Sequence, residues 1–355
     1  MTDLSPRTTD TNHKLGHAEF KSRFFEIFRD PSFSPLQSSL EEISEIAWKN
    51  FQESHKAPQK MKAGPGYANP DYELSMDWVN AKRAIEAAQK RHDDPTAPTR
   101  VLIINGSHRN EGTCPSEISK TSRLVKRAVE QFEKENIEVQ LLELDRMTVE
   151  YGKTIHPCKA CVSTAMPLCH WPCSCYPNHG LGQVHDWMNE IYPMWAAAHG
   201  IMIIIPTYWY SMPSALKLML DRLVCSDGGN ADPTSTKGKD AKLAKEIELN
   251  GWDFPGHLKD RHFSILVHGD TNGLDGVRNA LRDSLEDMRL IHTGGLSRFI
   301  GYMQPYATAH ADLDKDKELF EEVDGLASTL SQAVKEKRAG VKNNPAEGSD
   351  EVRRK

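Results

Sequence analysis

Two short stretches of this chain carry side chains in arrangements that could do chemistry. The run Arg100-Val101-Leu102-Ile103-Ile104-Asn105 is apolar and β-forming, and it stops on Gly106-Ser107. The turn that follows, Asn105 to Thr113, offers the Ser107 hydroxyl, the Arg109 guanidinium and backbone N–H groups, a set that suits a phosphate monoester. It contains neither Gly-x-Gly-x-x-Gly nor a Walker pattern. A helix-forming stretch comes next, with Leu124, Val125, Ala128, Val129 and Phe132 on one face. A helix N-terminus adds partial positive charge where a phosphate would sit. The plain alternative is an ordinary strand, turn and helix with Ser119 or Thr121 as N-cap. About 100 residues later, Ile201 to Ile205 run into Pro206-Thr207-Tyr208-Trp209-Tyr210. Neighbours in an extended segment face opposite ways, so three adjacent aromatics cannot all point inward. At least one is expected at the surface, where aromatic rings stack on flat ligands. Phosphate loop and aromatic loop together suit a flat ring carrying a phosphate tail.

A third stretch is rich in cysteine. Cys158, Cys161, Cys169, Cys173 and Cys175 fall within eighteen residues, with His156, His170 and His179 nearby. A Cys-x-x-Cys pair places two thiolates on one ion, and the later cysteines could complete a tetrahedral zinc site or hold an iron–sulfur cluster. Free or redox-active thiols that shape a loop are the alternative. Cys114 and Cys225 have no His partner in sequence and read as small packing residues. Asp221-Arg222 reads as a helix-end ion pair.

The 355 residues carry a net charge of −6, with 26% charged and 38% hydrophobic residues. An acidic balance without long basic runs argues against a nucleic-acid partner. No apolar run reaches the ~18 residues that would suggest a membrane span. The first residues lack the apolar centre of a secretory signal. A cytoplasmic protein is expected, and its seven cysteines are then metal ligands, redox groups or buried thiols rather than a disulfide framework.

The elements that must position these residues alternate. Residues 1–98 read as a helical N-terminal extension: a polar start, helical periodicity over 17–56 (Phe24, Ile27, Phe28; Leu40, Ile43, Ile46, Ala47), an irregular arm over 57–73, and a helix over 74–91 with Trp78, Ala81, Ile85 and Ala88 inward. The main domain spans 99–340. Strands are predicted at Val101–Asn105, Val139–Leu144, Gly200–Ile205, Phe263–His268 and Gly295–Tyr302. Helices are predicted at Thr121–Glu135, His185–Ala198, Ser214–Leu223, Gly276–Met288 and Leu313–Lys337. The Cys-rich segment covers 156–180. A polar insertion at 226–260 contains a solvated helix over Lys239–Leu249 and could serve as a lid or a dimer arm. Residues 341–355 are a charged, disordered tail. Apolar strands alternating with amphipathic helices imply an α/β fold, a doubly wound five-stranded parallel sheet of the flavodoxin-like kind, with its ligand where the strand order reverses.

Residues 100–124 resemble the Gly-Ser-x-Arg…Thr-x-x-Leu opening of the NADPH-dependent FMN reductase family. Gly200–Leu223 resembles that family's second signature, and His268-Gly269-Asp270-x-x-Gly273 its third flavin loop. The three occur in the family's order. The resemblance implies a flavodoxin-like fold with FMN at the strand ends. Its phosphate would lie on Ser107, Arg109 and Thr121, with Ser119 and Lys120 as further candidates. Its ring would lie against Pro206, Thr207, Tyr208, Trp209 and Tyr210, with His268, Gly269 and Asp270 lining the far side. Eleven residues separate Arg109 from Thr121, more than in the family's usual loop. The Cys-rich segment is similar to that of iron–sulfur flavoproteins, though more widely spaced.

The function that follows is a flavin-dependent oxidoreductase. Reduced nicotinamide, NADH or NADPH, would pass hydride to FMN, which would then reduce a quinone, a flavin or a small electrophile. No Ser/His/Asp set is found, and this chemistry needs none: it relies on geometry and a water-poor stacking surface. A homo-oligomer is expected, with helices 17–91 available to wrap a partner subunit. Two alternatives come from other classes: an iron–sulfur flavoprotein electron carrier, and a flavin-free scaffold or regulatory protein with a zinc-stapled loop.

Overall fold

The computed structural model describes residues 15–52, 59–114, 118–176, 186–301 and 313–341. The expected tail at 341–355 lies almost wholly outside them, as does His179 of the Cys-rich segment. Seven strands are described: β1 (Lys60–Lys62), β2 (Glu73–Ser75), β3 (Arg100–Asn105), β4 (Glu138–Glu143), β5 (Gly200–Pro206), β6 (His262–Gly269) and β7 (Ile291–Phe299). The last five form one parallel sheet in the order β4-β3-β5-β6-β7. This is the flavodoxin-like arrangement. Ile103 stands in register between Leu141 and Met202, so β3 is an interior strand beside the central β5. All six of its residues are buried, as are all seven of β5, which is why both read as unbroken apolar runs.

Helices cover both faces. On one lie α3 (Met76–Asp93), α5 (Met188–Ala197), α6 (Ser214–Leu223) and α8 (Leu274–Asp287), whose Ile85, Ala88, Trp187, Trp195, Leu216 and Leu281 share a core with Leu102, Ile104 and Ile203. On the other lie α4 (Lys120–Lys134) and α9 (Lys317–Arg338), packing Leu124, Phe132, Val323 and Leu330 on Val101, Ile103 and Met202. Ile85 and Ala88 put α3 inside the main core, although it belongs to the N-terminal extension. Its other two helices, α1 (His17–Glu26) and α2 (Gln37–Gln52), close a separate aromatic cluster of Phe20, Phe24, Trp48 and Phe51.

Several expectations change. The arm read as irregular contains an antiparallel hairpin, with Met61 opposite Leu74; three-residue strands are too short to show alternation. Ile27, Ile43 and Ile46, part of the helical periodicity over 17–56, are 59%, 50% and 64% exposed. Strand β7 begins four residues earlier than expected, because His292, Thr293 and Gly294 at a sheet edge break the apolar pattern. The insertion contains the helix α7 (Ala241–Leu249). It packs on the turn Met166–Leu168, and Glu248 accepts the Met166 amide at 2.8 Å.

Candidate functional site

The site is built where β3, β5 and β6 end. At Gly106 the chain leaves β3 so close to β5 that a Cβ would overlap the Ile205 methyl Cγ2, and the Gly106 amide donates to Ile204 O at 3.0 Å. This close approach needs glycine and sets the next residue beside the β5 loop. Ser107 is 1% exposed. Its amide donates to Asn105 Oδ1 (3.2 Å), its Oγ accepts the Arg109 amide (3.1 Å), and Oγ and Tyr208 Oη lie 3.2 Å apart. Phosphate loop and aromatic loop therefore touch through two hydroxyls.

Ser119 is the N-cap of α4, its Oγ accepting the Ser122 amide at 3.0 Å, so both readings of that serine converge on one helix start. Asn105 Nδ2 donates to Ser122 Oγ at 3.2 Å and ties β3 to the same turn. The first amides of a helix lie outside its own hydrogen bonding and carry partial positive charge. Arg109 adds a guanidinium anchored on Cys114 O at 3.3 Å, and Lys120 reaches Gly301 O at 3.3 Å.

Two of the residues the resemblance implied bond each other. Thr121 Oγ1 is 2.8 Å from His268 Nε2, and both side chains are buried. Burial pushes the His268 pKa down to about 3, with Lys120 adding to the effect, so the ring is neutral. The threonine hydroxyl thus bonds the imidazole inside the protein, between α4 and β6. Neither of these two groups faces outward. Gly269 stays close to Thr207: a Cβ there would lie 3.4 Å from Thr207 Cβ and 3.3 Å from Leu274. Asp270 is exposed.

The β5 loop is a tight hairpin. Tyr208 N donates to Ser211 O (2.9 Å) and Ser211 N to Tyr208 O (3.0 Å), which leaves Trp209 and Tyr210 as the two turn residues, with φ of 49° and 65°. Two positive φ angles in a two-residue loop define a turn that favours Asn-Gly. For two large aromatics it costs on the order of 1–3 kcal/mol each. The turn leaves Trp209 93% and Tyr210 70% exposed and Tyr208 half-buried. Surface aromatics were expected, but the cause is this turn rather than the alternation of an extended strand. Behind it Pro206 is buried, and the Thr207 amide donates to His268 O at 2.8 Å. Thr207 Oγ1 is buried without a hydrogen-bond partner among the described residues. A buried hydroxyl left unpaired costs about 1–3 kcal/mol, and this one sits at the strand ends, where a ligand atom could pair it. An orphaned hydroxyl, a helix N-terminus with Arg109 beside it, and exposed aromatic faces fit a phosphorylated flat ring.

Sequence reasoning missed His108, Asn105 and Asn110. His108 Nε2 accepts the Ala215 amide at the start of α6 (3.1 Å), and its ring meets Tyr208 edge-on at 5.8 Å. Asn110 shapes the loop, accepting the Gly112 amide at 2.9 Å and donating to Thr148 Oγ1 at 3.0 Å. A polar residue next to Gly-Ser was the available signal.

All seven cysteines of the chain are free. Cys161 touches the thiols of Cys169 and Cys175, and Cys175 touches Cys173. Contact with Cys169 pushes the Cys161 pKa up to about 12, and contact with Cys161 and Cys175 raises Cys175 and Cys173 in turn. Among the described residues no group of three His, Cys, Asp or Glu converges as a metal site, so the expected iron–sulfur or zinc centre on Cys158, Cys161, Cys169, Cys173 and Cys175 finds no support. Adjacent helix residues do not face each other, and Asp221 and Arg222 part accordingly. Asp221 pairs with Lys217, and Arg222 with Asp186 in a fully buried ion pair. A hollow of about 480 Å³ lined by Met61, Tyr67, Lys82 and Asp232 lies between the hairpin, α3 and the insertion, not at the strand ends.

A model of the NADPH-dependent FMN reductase family matches residues 99–300. The chain belongs to that family. No curated protein sequence matches it. Similar solved structures include RosB with a bound 8-demethyl-8-formylriboflavin-5'-phosphate intermediate (16% identity over 72% of this chain and 90% of that one, TM-score 0.46). An FMN-dependent NADH-azoreductase from Bacillus anthracis is 16% identical over 66% of this chain and 99% of its own, with a TM-score of 0.37. An NAD(P)H:quinone oxidoreductase from Methanothermobacter marburgensis is 14% identical over 70% and 100%, with a TM-score of 0.36. Among the described residues no helix is long and apolar enough to cross a membrane.

Proposed function

We propose that this member of the NADPH-dependent FMN reductase family holds FMN across the ends of β3, β5 and β6 and reduces a small acceptor, a quinone, a free flavin or a small electrophile, at the expense of NADH or NADPH. The reading is carried by the contact of Ser107 Oγ with Tyr208 Oη at 3.2 Å, which joins an anion-binding loop to an aromatic one.

Ser107, Arg109 and the α4 N-terminus capped by Ser119 would hold the phosphate, with Lys120 adding positive charge near it. Thr207, Tyr208 and the Trp209-Tyr210 turn, with Pro206 behind them, would hold the ring. Gly269 keeps the β6 end close to Thr207 there, and Asp270 stands exposed beyond it. Thr121 and His268 act from behind, fixing α4 against β6. Bound flavin supplies the hydride-accepting and hydride-donating chemistry. The protein binds, orients and excludes water. Trp209 and Tyr210 present apolar faces to solvent, suited to stacking against planar nicotinamides and acceptors. We also infer a homo-oligomer, supported by the exposed Ile43 and Ile46 on α2, and a cytoplasmic setting, where free thiols persist.

The test is the visible spectrum of the purified protein, before and after anaerobic NADPH or NADH. A flavin band that bleaches with either nucleotide is expected. A protein that takes up no FMN, or bound FMN that neither nucleotide bleaches, refutes the proposal.

A further inference from the structure

His108 follows Ser107 directly, yet its side chain turns away from the phosphate loop and bridges to two other elements. Its Nε2 accepts the amide hydrogen of Ala215, in the first turn of α6, at 3.1 Å. Its ring packs edge-on to Tyr208, with centroids 5.8 Å apart and planes at 62°. Tyr208 returns to the phosphate loop through the 3.2 Å contact of its Oη with Ser107 Oγ, and that oxygen also accepts the Arg109 amide. The contacts close a ring: Ser107, Tyr208, His108, and back along the chain to Ser107, with the α6 N-terminus as anchor.

We propose that His108 is the positioning residue that clasps the phosphate loop to the aromatic loop, and that the clasp holds only while its imidazole is neutral. This rests on reading the site as an FMN pocket. Because Nε2 accepts, the single proton of the neutral ring sits on Nδ1. A second proton would set N–H against the Ala215 N–H and place a cation at a helix N-terminus, where the dipole opposes it. Burial likewise lowers the pKa, while Asp145, from the chain just after β4, is the charged side chain that favours the cation. Tyr208 on the aromatic loop faces the ring edge-on.

The experiment titrates the full-length protein with FMN, following fluorescence quenching, for wild type, H108L and H108Q. Titrations run from neutral to acidic pH, within the range where circular dichroism shows each protein folded. Losing one buried hydrogen bond is expected to weaken FMN binding about tenfold in H108L. In H108Q the Oε1 can accept the Ala215 amide, so affinity recovers toward wild type. Wild-type affinity falls below the ordinary histidine range with a one-proton slope, and H108Q loses that dependence. Equal affinities in wild type and H108L, or an unchanged pH profile in H108Q, overturn the clasp. Nitrogen NMR of the flavin-free protein reads the clasp without FMN: a proton on Nδ1 is expected, and a proton on Nε2 overturns it. Wild type that binds no FMN while showing the Nδ1 tautomer refutes the pocket reading and leaves the clasp standing.

Discussion

Replacing Thr207 by valine should move two measurements in opposite directions. Thr207 is 8% exposed, and its Oγ1 is buried without a partner among the described residues, while its amide is already spent on His268 O. A buried hydroxyl with no partner carries a desolvation penalty of about 1–3 kcal/mol. Valine has the same branched shape and no polar atom, so T207V removes that penalty from the flavin-free protein. Allowing for imperfect packing of the new methyl, a gain of about 1 kcal/mol is expected, which for a domain of this size raises the midpoint of thermal unfolding by about 2 °C. If the hydroxyl is kept for a ligand, the same change deletes one hydrogen bond from the complex, and FMN affinity should fall about tenfold. Calorimetry of the flavin-free protein and an FMN titration read the two effects separately. A variant that is less stable without flavin, or that binds FMN as tightly as wild type, refutes the reasoning: the hydroxyl would then serve the fold and not the pocket.

Two further outcomes follow from buried charge. In D186N the guanidinium of Arg222 keeps its burial and loses its carboxylate partner, so unfolding free energy should drop by about 3–5 kcal/mol; denaturant midpoints within error of wild type would contradict this. His170, His92, His199 and His262 are held neutral with pKa values pushed down to about 4, and His268 down to about 3, each chiefly by burial. In the unfolded chain these imidazoles take up protons near 6.5, so the unfolded state binds more protons between that value and the folded one. Stability is therefore complete above pH ~6.5 and is lost as pH falls toward 4. For His170 and His268 alone the loss is on the order of 3 kcal/mol each. Urea midpoints that stay level across that window would show the histidines to be solvated.

Much of the frame is written locally. β3 and β5 are buried on both faces, so nearly every residue in them must be apolar, and such runs stand out in one dimension. Helix α6 was predicted at Ser214–Leu223 and lies there, because Pro213 before it and the heptad-like spacing of Leu216, Met219, Leu220 and Leu223 mark its limits and its inner face. The loops at the strand ends were legible for the same reason: Gly106 and the aromatic run interrupt patterns that are otherwise strong. Edge elements escaped. β7 is half-buried along its length, and the Lys60–Lys62 hairpin is too short to alternate, so neither carries a periodic signal.

From residue types and spacing alone came the parallel sheet and the order of its helices; those depend on local burial and turn chemistry, which each segment carries in itself. Only the packed chain decided which hydroxyl is spent and which is spare. Thr121 bonds His268 across 147 residues of sequence, Arg222 finds Asp186 rather than its neighbour Asp221, and His108 reaches Ala215, while the Thr207 hydroxyl finds no partner among the described residues. Hydrogen-bond partners are a property of distance in space, and no spacing rule reaches across separate elements to set them.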